Sequence, residues 1–223
     1  MATKFYLHDA ATTDTGTLPS GFNSINGTQT SSVNVPGADT DRQADTTIGV
    51  AVQNSGALTT LANTNAQRSM LRRFVSSPIA AQTIASQVLT YGVAANESNT
   101  NSNFGLECRI GLWRPSSGAL VGMIKDPQTL IVSTNMTTSE AWTAATMAAS
   151  LAQTSQDGDI LVFELWRDGA AQGMSTAYTN TVFYDGTTEG SATTPASYIN
   201  FPNTITFFTP PAIPDVVMSP SRR

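Results

Sequence analysis

Histidine and cysteine occur once each in these 223 residues, as His8 and Cys108, and those two scarcities exclude most familiar catalytic chemistry. A Ser-His-Asp triad, a Cys-His pair or a His-based zinc site would have to rest on His8 alone. A lone cysteine cannot form an internal disulfide, and Cys108 sits among alternating apolar residues, where a small core hydrophobe is expected rather than a nucleophile. Charge is also scarce: 12% of residues are Asp, Glu, Lys or Arg, about half the usual share. With 16 acidic and 11 basic residues the formal charge is −5 and the pI about 4.7. No basic run exceeds Arg72-Arg73 or Arg222-Arg223, so binding to nucleic acid by phosphate neutralisation is not expected. Nothing approaches the roughly 20 apolar residues that span a bilayer, and residues 1–8 lack a signal-like apolar core, so neither membrane association nor secretion is expected and the chain should fold in a reducing cytosol. No Gly-rich phosphate loop precedes a helical pattern.

Ser, Thr, Asn and Gly fill the places that charges usually take. Their hydroxyls and amides keep a surface soluble yet cost less to desolvate than charges do, which suits packing against neighbours. Three glycosylation-type triplets, beginning at Asn26, Asn96 and Asn135, follow from that composition by chance.

Around residues 103–125 the pattern is clearest. Phe104, Leu106, Cys108, Ile110 and Leu112 alternate with Gly105, Glu107, Arg109, Gly111 and Trp113, the period of a strand with one apolar face. Arg114-Pro115-Ser116-Ser117-Gly118 supplies turn chemistry before residues 119–125 resume as a strand, which predicts a hairpin. Its apolar face needs covering by a second sheet or a closed barrel. Further strands are expected over 70–75, 88–94, 129–132, 160–166, 178–184 and 198–208, the last bent or placed on an edge by Pro202. Residues 138–153 suit a helix by propensity, but Met147, Ala149 and Leu151 alternate. With Asp157-Gly158-Asp159 following, a second hairpin onto 160–166 is the preferred reading.

The expected architecture is all-β: a single β-sandwich or jelly-roll domain over 68–209. An extended polar arm, 1–67, would precede it, with at most a short edge strand over 4–7. A Pro-rich arm, 210–223, would follow, and both arms are expected to lie against the domain or a neighbouring molecule.

Carboxylates and aromatics are what remain for chemistry. Asp39, Asp41 and Asp45 cluster, and Asp157 and Asp159 flank a glycine, but neither spacing matches a calcium loop and a turn is preferred; no metal or cofactor is expected. Glu107 and Glu164 could act as the acid/base pair of a glycosidase, against the simpler role of cross-strand partners to Arg109, Arg167 or a neighbouring arginine. Trp113, Trp142 and Trp166, with Tyr91, Tyr178 and Tyr184, could build a sugar platform, although core or interface packing is commoner for aromatics. Trp113, Trp142 and Tyr184 are the candidates to face an interface or a glycan.

Several phrases together resemble virion proteins of tailed bacteriophages: Arg72-Arg73-Phe74-Val75-Ser76-Ser77-Pro78, residues 99–104 entering Trp113-Arg114-Pro115-Ser116-Ser117-Gly118, and Tyr178-Thr179-Asn180-Thr181-Val182-Phe183-Tyr184-Asp185-Gly186. The resemblance implies a non-enzymatic capsid cement or decoration protein on the outer surface of the head. It implies the major capsid protein as partner, a homo-oligomer such as a trimer at local threefold points, and assembly in the host cytoplasm. A tail or fibre component, or a head-mounted adhesin for a host surface glycan, is the alternative it leaves.

Overall fold

In the computed structural model, residues 1–11, 41–46, 54–59, 67–102, 105–129, 137–169 and 178–211 are described. The expected strand over 129–132 beyond residue 129, most of the N-terminal arm, the tail from 212, Asn26, Asp39, Phe104 and Asn135 lie outside them.

Period-two alternation with β-branched and aromatic residues produces an all-β chain, with no α-helix among the described residues. Near the N-terminus are β1 (Thr3–Ala11), β2 (Asp41–Asp45), β3 (Asn54–Thr59) and β4 (Gln67–Ser76). The short β5 (Thr83–Ile84) precedes β6 (Val88–Glu97) and the hairpin β7 (Gly105–Arg114) and β8 (Ala119–Thr129). Then come β9 (Ala141–Ala149), β10 (Gln153–Thr154), β11 (Ile160–Gly169), β12 (Thr179–Tyr184) and β13 (Tyr198–Phe201).

Ten of these form one continuous path, β3-β12-β6-β13-β1-β2-β4-β11-β7-β8, with β9 also on β6 and a separate β5-β10 pair. The path folds back on itself. A single buried cluster joins Leu89, Tyr91, Val93 and Val182 from one half to Leu71, Phe74, Ile110, Leu161 and Phe163 from the other. Two sheet halves face to face over a shared core make a β-sandwich.

The central hairpin forms as the alternation predicts: Leu106, Cys108, Ile110 and Leu112 are fully buried. Gly118 takes φ 63°, a left-handed conformation that an L-side chain resists, and its N–H donates to the Pro115 carbonyl at 3.2 Å. Residues 141–149 are a strand, as preferred over a helix. The second hairpin is not found, however: β9 pairs with β6 (Gly92 opposite Ala144), and β11 lies between β4 and β7. Alternation selects a strand and its face but carries no information about its partner.

The N-terminal arm requires a larger correction. Residues 4–7, expected on an edge, belong to an interior strand: β1 pairs with β13 on one side and β2 on the other. Phe5 is wholly buried, with ring centroids 5.2 Å from Phe163, 5.6 Å from Phe201 and 5.9 Å from Phe207. β2 and β3 also join the sheet, so residue 67 does not divide an arm from a domain. A segment poor in apolar residues needs few of them when strands donated by the rest of the chain flank it. At the other end, β13 stops at Phe201, immediately before Pro202, and does not continue to 208. Ile205 is nonetheless buried and Phe207 bridges to Ile79.

Candidate functional site

On β1, Phe5 and Leu7 enter the core, so Lys4, Tyr6 and His8 take the outer face. On β13, Ile199 and Phe201 are buried, which turns Tyr198 and Asn200 outward; on β6, Leu89, Tyr91 and Val93 are buried, which turns Thr90 and Gly92 outward. Register then aligns these positions across strands. Tyr6 lies opposite Tyr198, Tyr198 opposite Gly92, and Gly92 opposite Ala144, while Trp142 stands two residues further along β9. A second row runs beside the first: Lys4 opposite Asn200, Asn200 opposite Thr90, and Thr90 opposite Thr146.

The first row is aromatic. Tyr6 and Tyr198 have centroids 6.2 Å apart at 73°, and Trp142 and Tyr198 are 6.1 Å apart at 53°. Gly92 is what lets Trp142 lie over β6, since a Cβ there would come 2.8 Å from both Trp142 Cη2 and Tyr198 Cε1. All three rings are half-buried.

Fixed charge borders the rings. Lys4 Nζ donates to both Glu189 oxygens at 2.8 and 2.9 Å and sits 4.2 Å from the centroid of Tyr198, within cation–π range. Tyr6 Oη donates to Glu189 Oε1 at 2.5 Å. Burial, reinforced by the Glu189 carboxylate, pushes the Tyr6 hydroxyl well above its ordinary value. Burial would push Glu189 up as well, but the hydrogen bonds from Lys4 and Tyr6 outweigh it and hold that carboxyl below its ordinary range. The loop that carries Glu189 also brings Asp185 to His8, with His8 Nδ1 and Asp185 Oδ1 3.0 Å apart. In the second row, Asn200 Nδ2 donates to Thr90 Oγ1 at 3.0 Å.

Of the aromatics singled out from sequence, Trp142 alone belongs to this row. Tyr184 is wholly buried, stacked edge-on against Phe74 at 5.1 Å, and accepts a hydrogen bond from Arg72 Nε at 3.0 Å. Trp113 lies on the face of β7 opposite Leu112, as the alternation requires, but that face is covered too: Trp113 packs with Val75, Ile160 and Val162, flanked by Leu120 and Met123. These two are therefore not surfaces that a glycan meets. Trp166 and Tyr91 are buried as well, and Tyr178 is half-buried. Tyr6, Tyr198, Lys4 and Glu189 were not anticipated. Alternation around Phe5 and Leu7 marks Tyr6 as outward-facing, but no local pattern brings it to Tyr198.

Glu107 and Glu164 lie in an ionic layer on the second face of β4, β11 and β7. Glu164 is opposite Arg73 on one side and Arg109 on the other, and accepts the Trp166 indole N–H at 2.8 Å. The Arg109 guanidinium is 3.9 Å from the Trp166 ring centroid, and its Nη2 is 3.7 Å from Glu107 Oε2. Glu164 is thus the cross-strand partner of two arginines, whereas Glu107 lies opposite Trp166 and Thr129 across its strands and meets Arg109 two residues along its own strand; all of these charged groups are buried. Asp159 accepts a two-pronged bond from Arg114 (2.9 and 2.8 Å), and Asp157 accepts the Ala81 N–H at 2.7 Å. Asp41 and Asp45 fall in β2. Among the described residues no three His, Cys, Asp or Glu side chains group as metal ligands.

No family model and no curated protein matches this chain. Among solved structures, a CocE/NonD family hydrolase from Staphylococcus aureus is 7% identical, with a TM-score of 0.40 over 90% of this chain and 36% of that one. The Gt strain of infectious bursal disease virus is 12% identical, with a TM-score of 0.32 over 93% and 57%; the VP2 subviral particle of that virus is 11% identical, with a TM-score of 0.22 over 94% and 60%. The chain spans less than two thirds of each of these. At TM-scores below 0.5 no shared activity or assembly follows from the likenesses.

Proposed function

We propose that this chain is a non-enzymatic structural subunit of a tailed-bacteriophage virion, a capsid cement or decoration protein on the outer surface of the head, assembled in the host cytoplasm. In this reading it binds the major capsid protein as a homo-oligomer, a trimer at local threefold points, and adds interface area at shell-subunit junctions that packaged DNA acts to separate.

The observation that carries the reading is where the few charges go. The chain has 16 acidic and 11 basic side chains, and among the described residues nine of them are buried: Arg73, Glu97, Glu107, Arg109, Lys125, Asp159, Glu164, Arg167 and Asp185. Burying charges in a chain already poor in them leaves fewer for the described surface, where the abundant Ser, Thr and Asn supply neutral hydroxyls and amides. Interface centres are depleted of charge because desolvating an ion costs more than desolvating a neutral polar group. Such a surface packs permanently against neighbours at low cost. The residual acidity suits a position facing outward from DNA. The phrase-level resemblance to phage virion proteins points the same way.

The test is the copy number of this chain relative to the major shell protein in purified particles, by quantitative mass spectrometry. Hundreds of copies support cement. A handful moves the chain to the tail, a fibre or a vertex, and absence from particles refutes a virion role.

A further inference from the structure

The outer face of β1, β13, β6 and β9 carries an aromatic row beside a row of neutral polar groups, and the geometry points to a binding site for a neutral saccharide there. A pyranose presents apolar C–H faces and a rim of hydroxyls, so a site for it needs aromatic rings and hydrogen-bonding groups side by side. Tyr6, Tyr198 and Trp142 supply the rings. Lys4, Asn200 and Thr90 stand two residues along the same strands, about 6.8 Å away at 3.4 Å per residue, within reach of the rim of a sugar laid on the rings.

Three features favour a saccharide over a protein partner or an anionic polymer. No branched aliphatic side chain stands in either row, and Val88, two residues beyond Thr90, is the lone exposed aliphatic of β6, so the apolar centre of a protein interface is missing. The Lys4 ammonium is matched by the Glu189 carboxylate at 2.8 Å, so the site carries no excess positive charge for an acidic polymer. The rings are already held, Trp142 over Gly92 and Tyr6 by Glu189, so binding sacrifices little side-chain freedom. The site does not depend on where in a virion the chain sits.

The full chain is tested by affinity electrophoresis in gels containing dextran, amylose, galactomannan or, as the acidic comparison, polygalacturonate, with tryptophan fluorescence recorded alongside. Trp113 and Trp166 are buried, so a stacked sugar reports through Trp142. The expected result is retardation by at least one neutral polymer with a change in tryptophan emission, weakened at least tenfold in both Trp142→Ala and Tyr198→Ala while their melting temperatures stay close to wild type. Should either alanine variant fail to fold, Tyr198→Phe, which keeps the ring, and Thr90→Ala, which alters the polar row, carry the test: the first should bind nearly as wild type and the second more weakly. Retardation by none of the neutral polymers, by polygalacturonate alone, or equally in wild type and variants overturns the assignment. So does attachment to virion heads that Trp142→Ala abolishes and neutral polymer does not compete, since the row would then be a protein interface. None of these outcomes alters the copy number, so failure here and failure of the structural reading are separately visible.

Discussion

Replacing Phe5 with alanine distinguishes an N-terminal arm from an N-terminal core strand. Phe5 is wholly buried in β1 and meets three aromatic rings at 5.2, 5.6 and 5.9 Å. Removing a buried phenylalanine ring costs about 1.5–3 kcal/mol in transfer free energy, and the cavity raises the usual total to about 3–5 kcal/mol. Three ring contacts place Phe5→Ala toward the upper end, since each well-placed aromatic pair adds about 0.5–1.5 kcal/mol beyond burial. For a chain of this length about 2–4 °C is lost per kcal/mol, so a loss of about 4 kcal/mol lowers Tm by about 8–16 °C. Urea unfolding followed by far-UV circular dichroism, with an unchanged slope, measures it directly. A loss under about 1 kcal/mol would refute the placement of β1 in the core and restore the arm. Deleting residues 1–8 should abolish folding.

Glu164→Gln keeps an acceptor for the Trp166 indole but removes the negative charge opposite Arg73 and Arg109; a loss of about 3–5 kcal/mol in urea unfolding is expected, and a change below about 1 kcal/mol would contradict a buried ionic layer. Burial, with Glu164 adding to it, pushes the Cys108 thiol far above its ordinary value, so an aromatic disulfide reagent should label it only as fast as the protein unfolds; prompt stoichiometric labelling of the native chain would disprove its burial. Glu189 is held below the ordinary carboxyl value of 4.5, so its contribution is fully present above that value and disappears as pH falls through the lower folded one. Because the pair is partly exposed, Glu189→Gln should lower stability at pH 7 by at most about 1 kcal/mol. The gap between wild type and variant should close in acid, and a gap that widened instead would be inconsistent with the Lys4–Tyr6–Glu189 contact.

Much of the fold is legible wherever the physical rule is local. The two faces of β7, the turn at Gly118 and the apolar strand β11 follow from alternation, turn chemistry and β-propensity. The arginine neighbours of Glu107 and Glu164 were also foreseeable in kind, because opposite charges recur at neighbouring positions on one face of a sheet. What alternation leaves open is whether the second face of a strand meets water. Glu107, Arg109 and Trp113 occupy the positions that a half-exposed strand would give to solvent, and all three are buried. Tyr184 likewise lies in the core rather than at a surface, since a tyrosine with a hydrogen-bond partner for its hydroxyl is stable there.

By itself, the amino-acid sequence determined the all-β class, the direction in which each side chain of a strand points, and the scarcity of titratable groups from which a catalytic site might be assembled. Strand partners were decided only in the tertiary structure: β9 on β6 rather than on β11, and β1 between β13 and β2. The same pairing decided the aromatic row, since Tyr6 and Tyr198 come from opposite ends of the chain and meet because β1 and β13 share a register. The physical reason is that the period of a strand is a property of neighbouring residues, whereas its partner is settled by which distant surfaces bury the most apolar area against one another, and adjacent residues do not record that.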